Sequence, residues 1–407
     1  CSRCSYQCIK RNGSRGLKMT VKITKPEINV REKISELDKP SGTAGQAMLA
    51  AETPQEQFNL IGAGRRNIII NGDMRIAQRG TSATGVTATG YYATDRMAFY
   101  EANSGTYTVR QDNNSGLAEF PHYHHVIATT ADTSLGSTEL VSGLFYKIEG
   151  NDLQHLGYGT PGAKHTTLSF WVRTNVPGDY TVSIYKTFGS PRVVAPIYTI
   201  EQAGVWQYVT LVIPPDTNTG ILNSNSDGLA FYFNLSSGSS YTATEAPSWS
   251  SYTTGNWSGG HTAHWGKTTN DYWHITGLQF EVGNIATPFE HRSYGEELAL
   301  CQRYFWRLDR VTGGGNTIGI GSNYSNSIFY INYPNTMRAA PSVSKVGTNL
   351  SIYSNVTRYQ NPTFNGVGAG NGIVGTRLLF ALSGTRGNAI HIDLDNDDTY
   401  FNFDAEL

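Results

Sequence analysis

The chain has 407 residues, of which 39% are apolar and 15% are charged, and its formal net charge at pH 7 is −1. A charge so close to zero gives no electrostatic basis for binding nucleic acid or an anionic membrane surface. No apolar stretch approaches the ~18 consecutive residues of a transmembrane helix, so we expect neither a nucleic-acid partner nor membrane insertion. The 44 glycines and 24 tyrosines are typical of short strands joined by turns.

Residues 1–18 differ from the rest of the chain. They are basic, contain no acidic residue and hold three of the four cysteines, Cys1, Cys4 and Cys8. Three closely spaced cysteines without a fourth ligand nearby do not meet the tetrahedral requirement of a structural zinc site. We therefore expect no metal and no cofactor, and we interpret residues 1–18 as a non-native or disordered extension.

Residues 19–64 form a separate N-terminal segment. The stretches "VREKISELDKP" and "TPQEQFNLIG" contain helix-forming residues, and Thr53 supplies an N-cap that is followed by Pro54 at the first helical position. Each helix would have only about two or three turns, which is too short to be stable alone in water. We expect this segment to be poorly ordered or extended unless it docks on a partner chain, and we interpret it as an anchoring leader.

From Asn67 onward the sequence has the pattern of β-strands. The stretch "NIIINGDMRI" predicts a strand with an Asn-Gly turn inside it. Later stretches such as "TLSFWVRT", "YTVSIYKTF" and "YWHITGLQFEV" alternate apolar and polar residues or run apolar over strand lengths. The turn sequence "NVPGD" predicts a hairpin between residues 168–174 and 180–188. Strands that recur without a helical crossover predict a mainly β fold, with an antiparallel jelly-roll β-sandwich in residues 65–292.

One short helix is predicted between two β-rich regions. The run "GEELALCQRY" is the strongest helical stretch of the C-terminal half, and we place a connecting helix in residues 293–308. A second, smaller β domain is predicted for residues 309–407. Leu298, Cys301 and Phe305 have the i, i+3 and i+7 spacing of one helix face. They are candidate oligomer contacts, and packing of this stripe on its own chain is the alternative.

The densest group of aromatic residues lies in residues 241–277. Trp249, Tyr252, Trp257 and Trp265 stand among Gly, Ser and Thr without strand alternation. Exposed rings on a loop suit stacking against the apolar C–H faces of sugars, so these four are candidate carbohydrate-binding residues, and at least two should be partly exposed. The alternative is that they cover an edge of the sandwich or a subunit contact. The tryptophans that occur within strand patterns are predicted to be core residues: Trp171, Trp206 and Trp273.

Other polar residues give no recognisable catalytic or metal-binding motif. His122 and His124 share one face if the chain there is extended, and we interpret them as surface or hydrogen-bonded residues. Carboxylates are available for glycosidase chemistry, but such pairs meet only in the fold and cannot be recognised from sequence spacing. They include Glu245, Asp271, Glu281 and Glu290. We therefore expect that the chain is not an enzyme.

Several spaced stretches resemble a family of bacteriophage tail-fibre and virion structural proteins. They include "RRNIIINGDMRIAQRGTS", "YYATDRM", "TTLSFWVRTNVPGDYTVSIYK" and "YWHITGLQFEVGNIATPFEHRSYGEELALCQRYFW", in the order expected of that family. The resemblance covers residues 65–407. The N-terminal stretch "SELDKPSGTAGQAMLAAETPQEQFNLIGAGRRN" is similar to the virion-attachment leader of phages that infect aquatic bacteria.

This resemblance implies a jelly roll similar to carbohydrate-binding modules, a connecting helix and a C-terminal β domain. It also implies a homotrimer in the virion, assembled in the host cytoplasm, that adheres to host surface glycans and binds other virion or tail proteins through residues 19–64. A purely structural virion component without a ligand site is the alternative, and a glycan hydrolase is a second alternative. Exposure of the loop tryptophans distinguishes the adhesin from the purely structural component.

Overall fold

The computed structural model describes residues 43–50, 57, 65–102, 105–310, 317–323, 327–354, 357–368, 371–382, 389–395 and 398–407. The chain divides into two compact units, residues 1–60 and 61–407. In the first unit, helix α1 spans Thr43–Ala50. The predicted extension 1–18 and most of the predicted leader lie outside the described residues.

The second unit is mainly β and antiparallel, as predicted. The described residues of its N-terminal part form fourteen strands: β1 (Ser82–Val86), β2 (Gly90–Tyr91), β3 (Ala98–Ala102), β4 (Thr106–Leu117), β5 (Phe120–Thr130), β6 (Leu140–Glu149), β7 (Thr166–Thr174), β8 (Gly178–Lys186), β9 (Arg192–Ala195), β10 (Ile197–Ile200), β11 (Gln207–Ile213), β12 (Asp227–Ser237), β13 (Ala246–Ser251) and β14 (Tyr272–Val282). Two short 3-10 helices lie among them, at Gly150–Leu156 and Thr254–Asn256.

Two sheets form the sandwich. The six-stranded sheet has the order β1-β4-β5-β14-β7-β11, and the eight-stranded sheet has the order β13-β9-β8-β12-β6-β3-β2, with β10 paired to β8. Apolar side chains from both sheets meet in one hydrophobic cluster. The ring centroids of Phe170 and Phe233 are 5.2 Å apart, and those of Phe231 and Phe280 are 4.9 Å apart. Each sheet therefore has an inner face on this cluster and an outer face that points away from it.

The predicted hairpin between residues 168–174 and 180–188 is wrong. Strand β7 pairs with β14 and β11 in the six-stranded sheet, whereas β8 pairs with β12 and β9 in the eight-stranded sheet. The connection from Thr174 to Gly178 therefore crosses between the two layers. Gly178 has a φ of 143°, a conformation that favours glycine. The turn residues indicate a change of direction, but they do not specify which sheet receives the next strand.

The strand predicted from "NIIINGDMRI" is also wrong, because this segment has no ladder partner. Asn71 has a φ of 61°. Its side-chain amide donates hydrogen bonds to the backbone oxygens of Ile76 and Asp95 and accepts one from the backbone N–H of Ile76, each at 2.9 Å. Side-chain hydrogen bonds of asparagine compete with regular secondary structure, and here they hold an irregular turn.

The C-terminal part forms two further sheets. Its strands are β15 (Phe305–Leu308), β16 (Thr317–Asn323), β17 (Ser327–Asn332), β18 (Ser342–Val346), β19 (Leu350–Ser354), β20 (Thr357–Gln360), β21 (Phe364–Val367), β22 (Gly375–Phe380), β23 (Ala389–Leu394) and β24 (Tyr400–Asp404). The strand orders are β15-β24-β18 and β20-β19-β23-β16-β17-β22-β21. A second hydrophobic cluster, with members between Phe329 and Ala405, lies in this part.

The connecting helix predicted in residues 293–308 is shorter in the structure: α2 spans Tyr294–Gln302, and Phe305–Leu308 forms strand β15. Its first turn has a capping box, in which Ser293 accepts a hydrogen bond from the backbone N–H of Glu296 and donates its own N–H to the Glu296 carboxylate. The buried carboxylate of Glu297 accepts a hydrogen bond of 2.5 Å from the backbone N–H of Asn71. These contacts fix the helix against the irregular segment that begins the sandwich.

The apolar stripe of α2 packs on its own chain. Cys301 is fully buried in a small cluster with Ile70 and Ile76, and Leu298 packs against this cluster. Phe305, at the start of β15, is 2% exposed. Cys301 and Phe305 are therefore buried within the chain and are not exposed oligomer contacts. Leu298 is half-buried, and its oligomer contact stays a prediction.

Candidate functional site

The tryptophans of the loop segment are buried. Trp265 is 1% exposed and stacks on Tyr107 at a centroid distance of 5.8 Å. Trp249 is 8% exposed and donates its indole N–H to the backbone oxygen of Pro214 at 2.9 Å. Both side chains belong to the main hydrophobic cluster. They extend the sandwich core and are not available to a sugar.

Trp257 and Tyr252 lie on the outer face of the eight-stranded sheet. Trp257 is 7% exposed and packs against Tyr232 and Tyr185, with centroid distances of 4.7 and 5.5 Å. Tyr252 is 36% exposed. We call this group the tyrosine strip: Tyr100, Phe145, Tyr185, Tyr232, Tyr252 and Trp257. Since Tyr252 alone among the four candidates is exposed, the expectation of at least two exposed rings is wrong.

A different group of rings lies on the outer face of the six-stranded sheet. Along β5 and β14, the side chains of Val126, Trp273 and Ile275 point into the core, so those of His125 and His274 point outward. Rings from the neighbouring positions and from the segment before β11 complete this group. We call it the aromatic–histidine cluster: Tyr123, His125, Trp206, Tyr272 and His274.

His274 is at the centre of the aromatic–histidine cluster. The centroid of its ring is 4.1 Å from that of His125, 4.7 Å from that of Tyr123 and 4.7 Å from that of Tyr272. The planes of Tyr272 and His274 are 28° apart, so these two rings are stacked. Trp206 approaches the same imidazole at 5.9 Å. Flat rings beside polar nitrogens suit a ligand that has both apolar faces and hydrogen-bonding groups, as sugars do.

Strands β7 and β11 extend this surface. Trp171 and Arg173 alternate with the fully buried Val172, so both point outward. Trp171 lies 5.2 Å from Tyr208, which is 45% exposed. The guanidinium of Arg173 lies 5.7 Å from the centroid of the Tyr272 ring. The prediction that Trp171 is a core residue is therefore wrong.

One hydrogen bond shows that this face is concave. The indole N–H of Trp206 donates to the backbone oxygen of Ser115 at 2.8 Å. Trp206 precedes edge strand β11, whereas Ser115 is on β4, and three strands lie between them. In a flat sheet, four strand spacings of about 4.8 Å would separate these strands by ~19 Å, beyond the reach of a tryptophan side chain. Trp206 and Ser115 therefore meet above the outer face through curvature of the sheet or of the β4–β5 hairpin that carries Ser115. Trp206, also predicted to be core, is half-buried above this concave surface.

The charged groups beside the cluster are partly paired. Asp112 accepts hydrogen bonds from Arg110 at 2.5 and 3.1 Å and from His125 Nδ1 at 2.6 Å. Burial raises the pKa of Asp112, but these hydrogen bonds outweigh it and leave the pKa below its usual value. Burial lowers the pKa of His125, against the effect of Asp112. Asp112 is therefore a carboxylate that orients His125.

His274 is neutral and makes no hydrogen bond to a described residue. It is 6% exposed, and neither ring nitrogen has a partner among the described atoms. Burial, followed by the nearby His125, Arg173 and Arg110, lowers its pKa to about 2. A neutral imidazole can donate one hydrogen bond and accept another. The cluster therefore has an unpartnered donor and an unpartnered acceptor at its centre, both covered by the surrounding rings.

Strand parity in the sequence of β7 indicates this surface, whereas the density of aromatic residues in 241–277 does not. In "TLSFWVRT", Leu168, Phe170 and Val172 share one parity, and Trp171 and Arg173 share the other. Residues of opposite parity point to opposite faces of a sheet. Reading tryptophans by strand parity would have placed Trp171 outside the core and Trp273, correctly predicted as core, inside it.

Other predicted polar residues have structural contacts. His124 is fully buried, and its ring nitrogens lie 3.1 Å from Thr94 Oγ1 and 3.0 Å from the backbone oxygen of Gly143. Glu281 is buried and accepts hydrogen bonds from Thr287. The described part of the chain contains no group of three His, Cys, Asp or Glu residues placed to hold a metal ion. None of its helices is long and apolar enough to cross a membrane.

No protein-family model and no curated protein matches the chain. Among solved structures, it is similar to the enzymatically active domain of tailspike protein 4 of bacteriophage CBA120, with 11% identity and a TM-score of 0.28 over 53% of this chain and 21% of that chain. It is also similar to a family 30 carbohydrate binding module, with 10% identity and a TM-score of 0.26 over 54% of this chain and 91% of that one. A tandem CBM22 domain of Paenibacillus barcinonensis Xyn10C gives 10% identity and a TM-score of 0.23 over 80% and 100% of the two chains. Sequence identities and TM-scores this low establish neither a family nor a function for this chain.

Proposed function

We propose that the chain is a phage virion structural subunit, of the tail-fibre or appendage type, that adheres to host surface glycans through the concave outer face of its six-stranded sheet. The sequence resemblance supports the virion part of this proposal. The observation that carries the glycan part is the aromatic–histidine cluster, because it combines partly exposed rings with an unpartnered imidazole at its centre. A homotrimer would present three such faces and raise the apparent affinity through effective concentration.

We propose binding without hydrolysis. Glycosidases need two carboxyl groups about 5–10 Å apart, one of which is protonated when the reaction starts. Asp112, the carboxylate beside the cluster, is held in its ionised form by Arg110 and His125. It is therefore a poor proton donor at neutral pH, and its position favours orientation of His125 over acid catalysis.

The test is a binding measurement on an array of bacterial surface glycans with the full-length protein and two variants. Tyr208→Thr removes an exposed ring of the proposed surface, and Val212→Thr is the matched control. Both residues are 45% exposed and lie four positions apart on one face of β11. Threonine has a high strand propensity, so neither change should disturb the sheet. We expect Tyr208→Thr to weaken binding about tenfold, which corresponds to about 1.4 kcal/mol, and Val212→Thr to leave it unchanged.

A purely structural virion component is the alternative, and one observation favours it. Trp249, Trp257 and Trp265 are buried, which removes the sugar-binding role that their sequence context suggested. If the wild-type protein binds no glycan on the array, this alternative replaces the adhesin. If the wild type binds a glycan and both β11 variants bind it as tightly as the wild type does, the site lies elsewhere.

A further inference from the structure

The outer face of the six-stranded sheet carries a cation that no described acidic group neutralises. Arg173 is half-buried on β7, its Nε is buried, and its guanidinium makes no hydrogen bond or ion pair with a described residue. The neighbouring Arg110 is paired with Asp112, and elsewhere Arg303 is paired with Glu149 at 2.8 Å. A buried guanidinium nitrogen without an acceptor has lost hydration without compensation. Its surroundings are therefore suited to an anion that the chain does not supply.

Two histidines with unpartnered ring nitrogens lie on the strands beside Arg173. Cross-strand pairing places Arg173 opposite His274 and His274 opposite His125. Both ring nitrogens of His274 and Nε2 of His125 lack a hydrogen-bond partner among the described residues, and His274 is more than nine-tenths buried. Three adjacent strands thus direct a cation and two imidazoles to one row of the concave face.

The rings around this row restrict the kind of anion. The guanidinium of Arg173 lies over Tyr272, which stacks on His274. An anion bound there would have its remaining atoms against Tyr272 and Trp206, whose faces suit an apolar ring surface. Arginine recognises planar carboxylates with two parallel hydrogen bonds. A carboxylate attached directly to a sugar ring meets both requirements.

We propose that this face binds a glycan containing hexuronic acid, with Arg173 paired to the sugar carboxylate and the sugar ring packed against the partly exposed side chains of Tyr272 and Trp206. This inference rests on the proposed glycan adhesion and adds the chemical class of the ligand. Burial is the main cause of the low pKa of His274, about 2, and the positive charges of Arg173 and Arg110 lower it further. A bound carboxylate offsets that charge.

The experiment compares two matched sets of probes with the full-length protein. One set contains oligosaccharides of galacturonic, glucuronic and mannuronic acid, and the other contains the same oligosaccharides with each carboxylate reduced to a primary alcohol. Because hydrogen bonds to charged groups contribute about 1.5–3 kcal/mol, we expect at least one acidic probe to bind about tenfold or more tightly than its reduced form. We expect this preference to decrease as salt is added, since screening weakens ion pairs.

Variants at Arg173 test the assignment of the residue. Arg173→Gln should remove the preference for the acidic probe over the reduced probe. Arg173→Lys should retain part of this preference because the charge remains without the planar fork. The matched control is Arg377→Gln, since Arg377 also lies over a tyrosine ring, at 5.3 Å from Tyr330, but in the C-terminal sheets. This control should bind like the wild type.

Each contrary outcome has a distinct meaning. Equal binding of the acidic and reduced probes, equal competition by a sulfated oligosaccharide, or loss of the preference in Arg377→Gln would overturn the carboxylate assignment. Binding of neutral array glycans without binding of any hexuronic acid probe would overturn it as well, while leaving glycan adhesion in place. Failure to bind any glycan would overturn the adhesin proposal itself.

Discussion

Two regions of the sandwich are rich in aromatic residues, and they place their rings in opposite environments. In the loop segment 241–277, Trp249 and Trp265 turn inward and join the hydrophobic cluster between the sheets. On the outer face of the six-stranded sheet, Trp206 and Tyr208 remain partly exposed beside charged and unpartnered polar groups. The comparison shows that the side of a layer on which a ring lies determines its role more directly than the density of rings in the sequence.

The largest loss of stability is expected on truncation of a loop tryptophan, because these rings lie in the core. Trp265→Ala removes a 1% exposed ring that stacks on Tyr107, and it should lower the free energy of unfolding by about 3–5 kcal/mol. Urea denaturation of the full-length protein measures the change. Trp265→Phe, the control, should lose less because it keeps an aromatic ring. A loss below ~1 kcal/mol for Trp265→Ala would show that this ring is not a core residue.

His124, buried on the inner face of the six-stranded sheet, should make the free energy of unfolding depend on pH. Burial lowers the pKa of His124 from 6.5 to about 4, so below pH 6.5 the unfolded state binds more protons than the folded state. The contribution of His124 is therefore lost as pH falls from about 6.5 towards 4, with a magnitude of about 3 kcal/mol.

The variant His124→Gln isolates this contribution. Between pH 7 and pH 4, we expect the wild type to lose about 3 kcal/mol more unfolding free energy than the variant. Urea denaturation at both pH values gives the difference, and any constant destabilisation of the variant cancels. Parallel pH profiles of the two proteins would contradict the burial of this imidazole.

On the concave face, loss of the cross-face hydrogen bond should have a smaller effect. Trp206→Phe keeps a ring but removes the N–H that donates to the backbone oxygen of Ser115. We expect the free energy of unfolding to fall by about 1 kcal/mol, and thermal denaturation against the wild type measures it. A loss as large as that of Trp265→Ala would mean that Trp206 is part of the core and would remove the contrast between the two regions.

The smallest change in the free energy of unfolding is expected at Tyr252, the exposed residue of the tyrosine strip. Tyr252 is 36% exposed, and Tyr252→Ala should change the free energy of unfolding by no more than ~1 kcal/mol. It should also leave glycan binding unchanged, because the residue lies on the outer face of the other sheet. If Tyr252→Ala weakens binding and Tyr208→Thr does not, the tyrosine strip is the ligand surface.

The fold class and the connecting helix could be predicted from the sequence because both depend on local patterns. Alternation within "YWHITGLQFEV" and the Ser293–Glu296 capping box are set by neighbouring residues. The sheet to which each strand belongs could not be predicted, as the crossing between β7 and β8 shows, since strand pairing depends on distant partners. The candidate site could not be predicted either, because its residues come from β4, β5, β7, β14 and the start of β11. These stretches are distant in the sequence and become neighbours only when the sheet forms.

Hydroxyl-radical footprinting of tyrosine and tryptophan side chains, with and without a glycan that the protein binds, tests directly whether glycans bind the concave face of the six-stranded sheet. We predict that the ligand reduces oxidation of Tyr208, Tyr272 and Trp206 and leaves oxidation of Tyr252 and Tyr100 unchanged. Protection confined to Tyr252 and Tyr100 would contradict the account and would assign the ligand to the tyrosine strip.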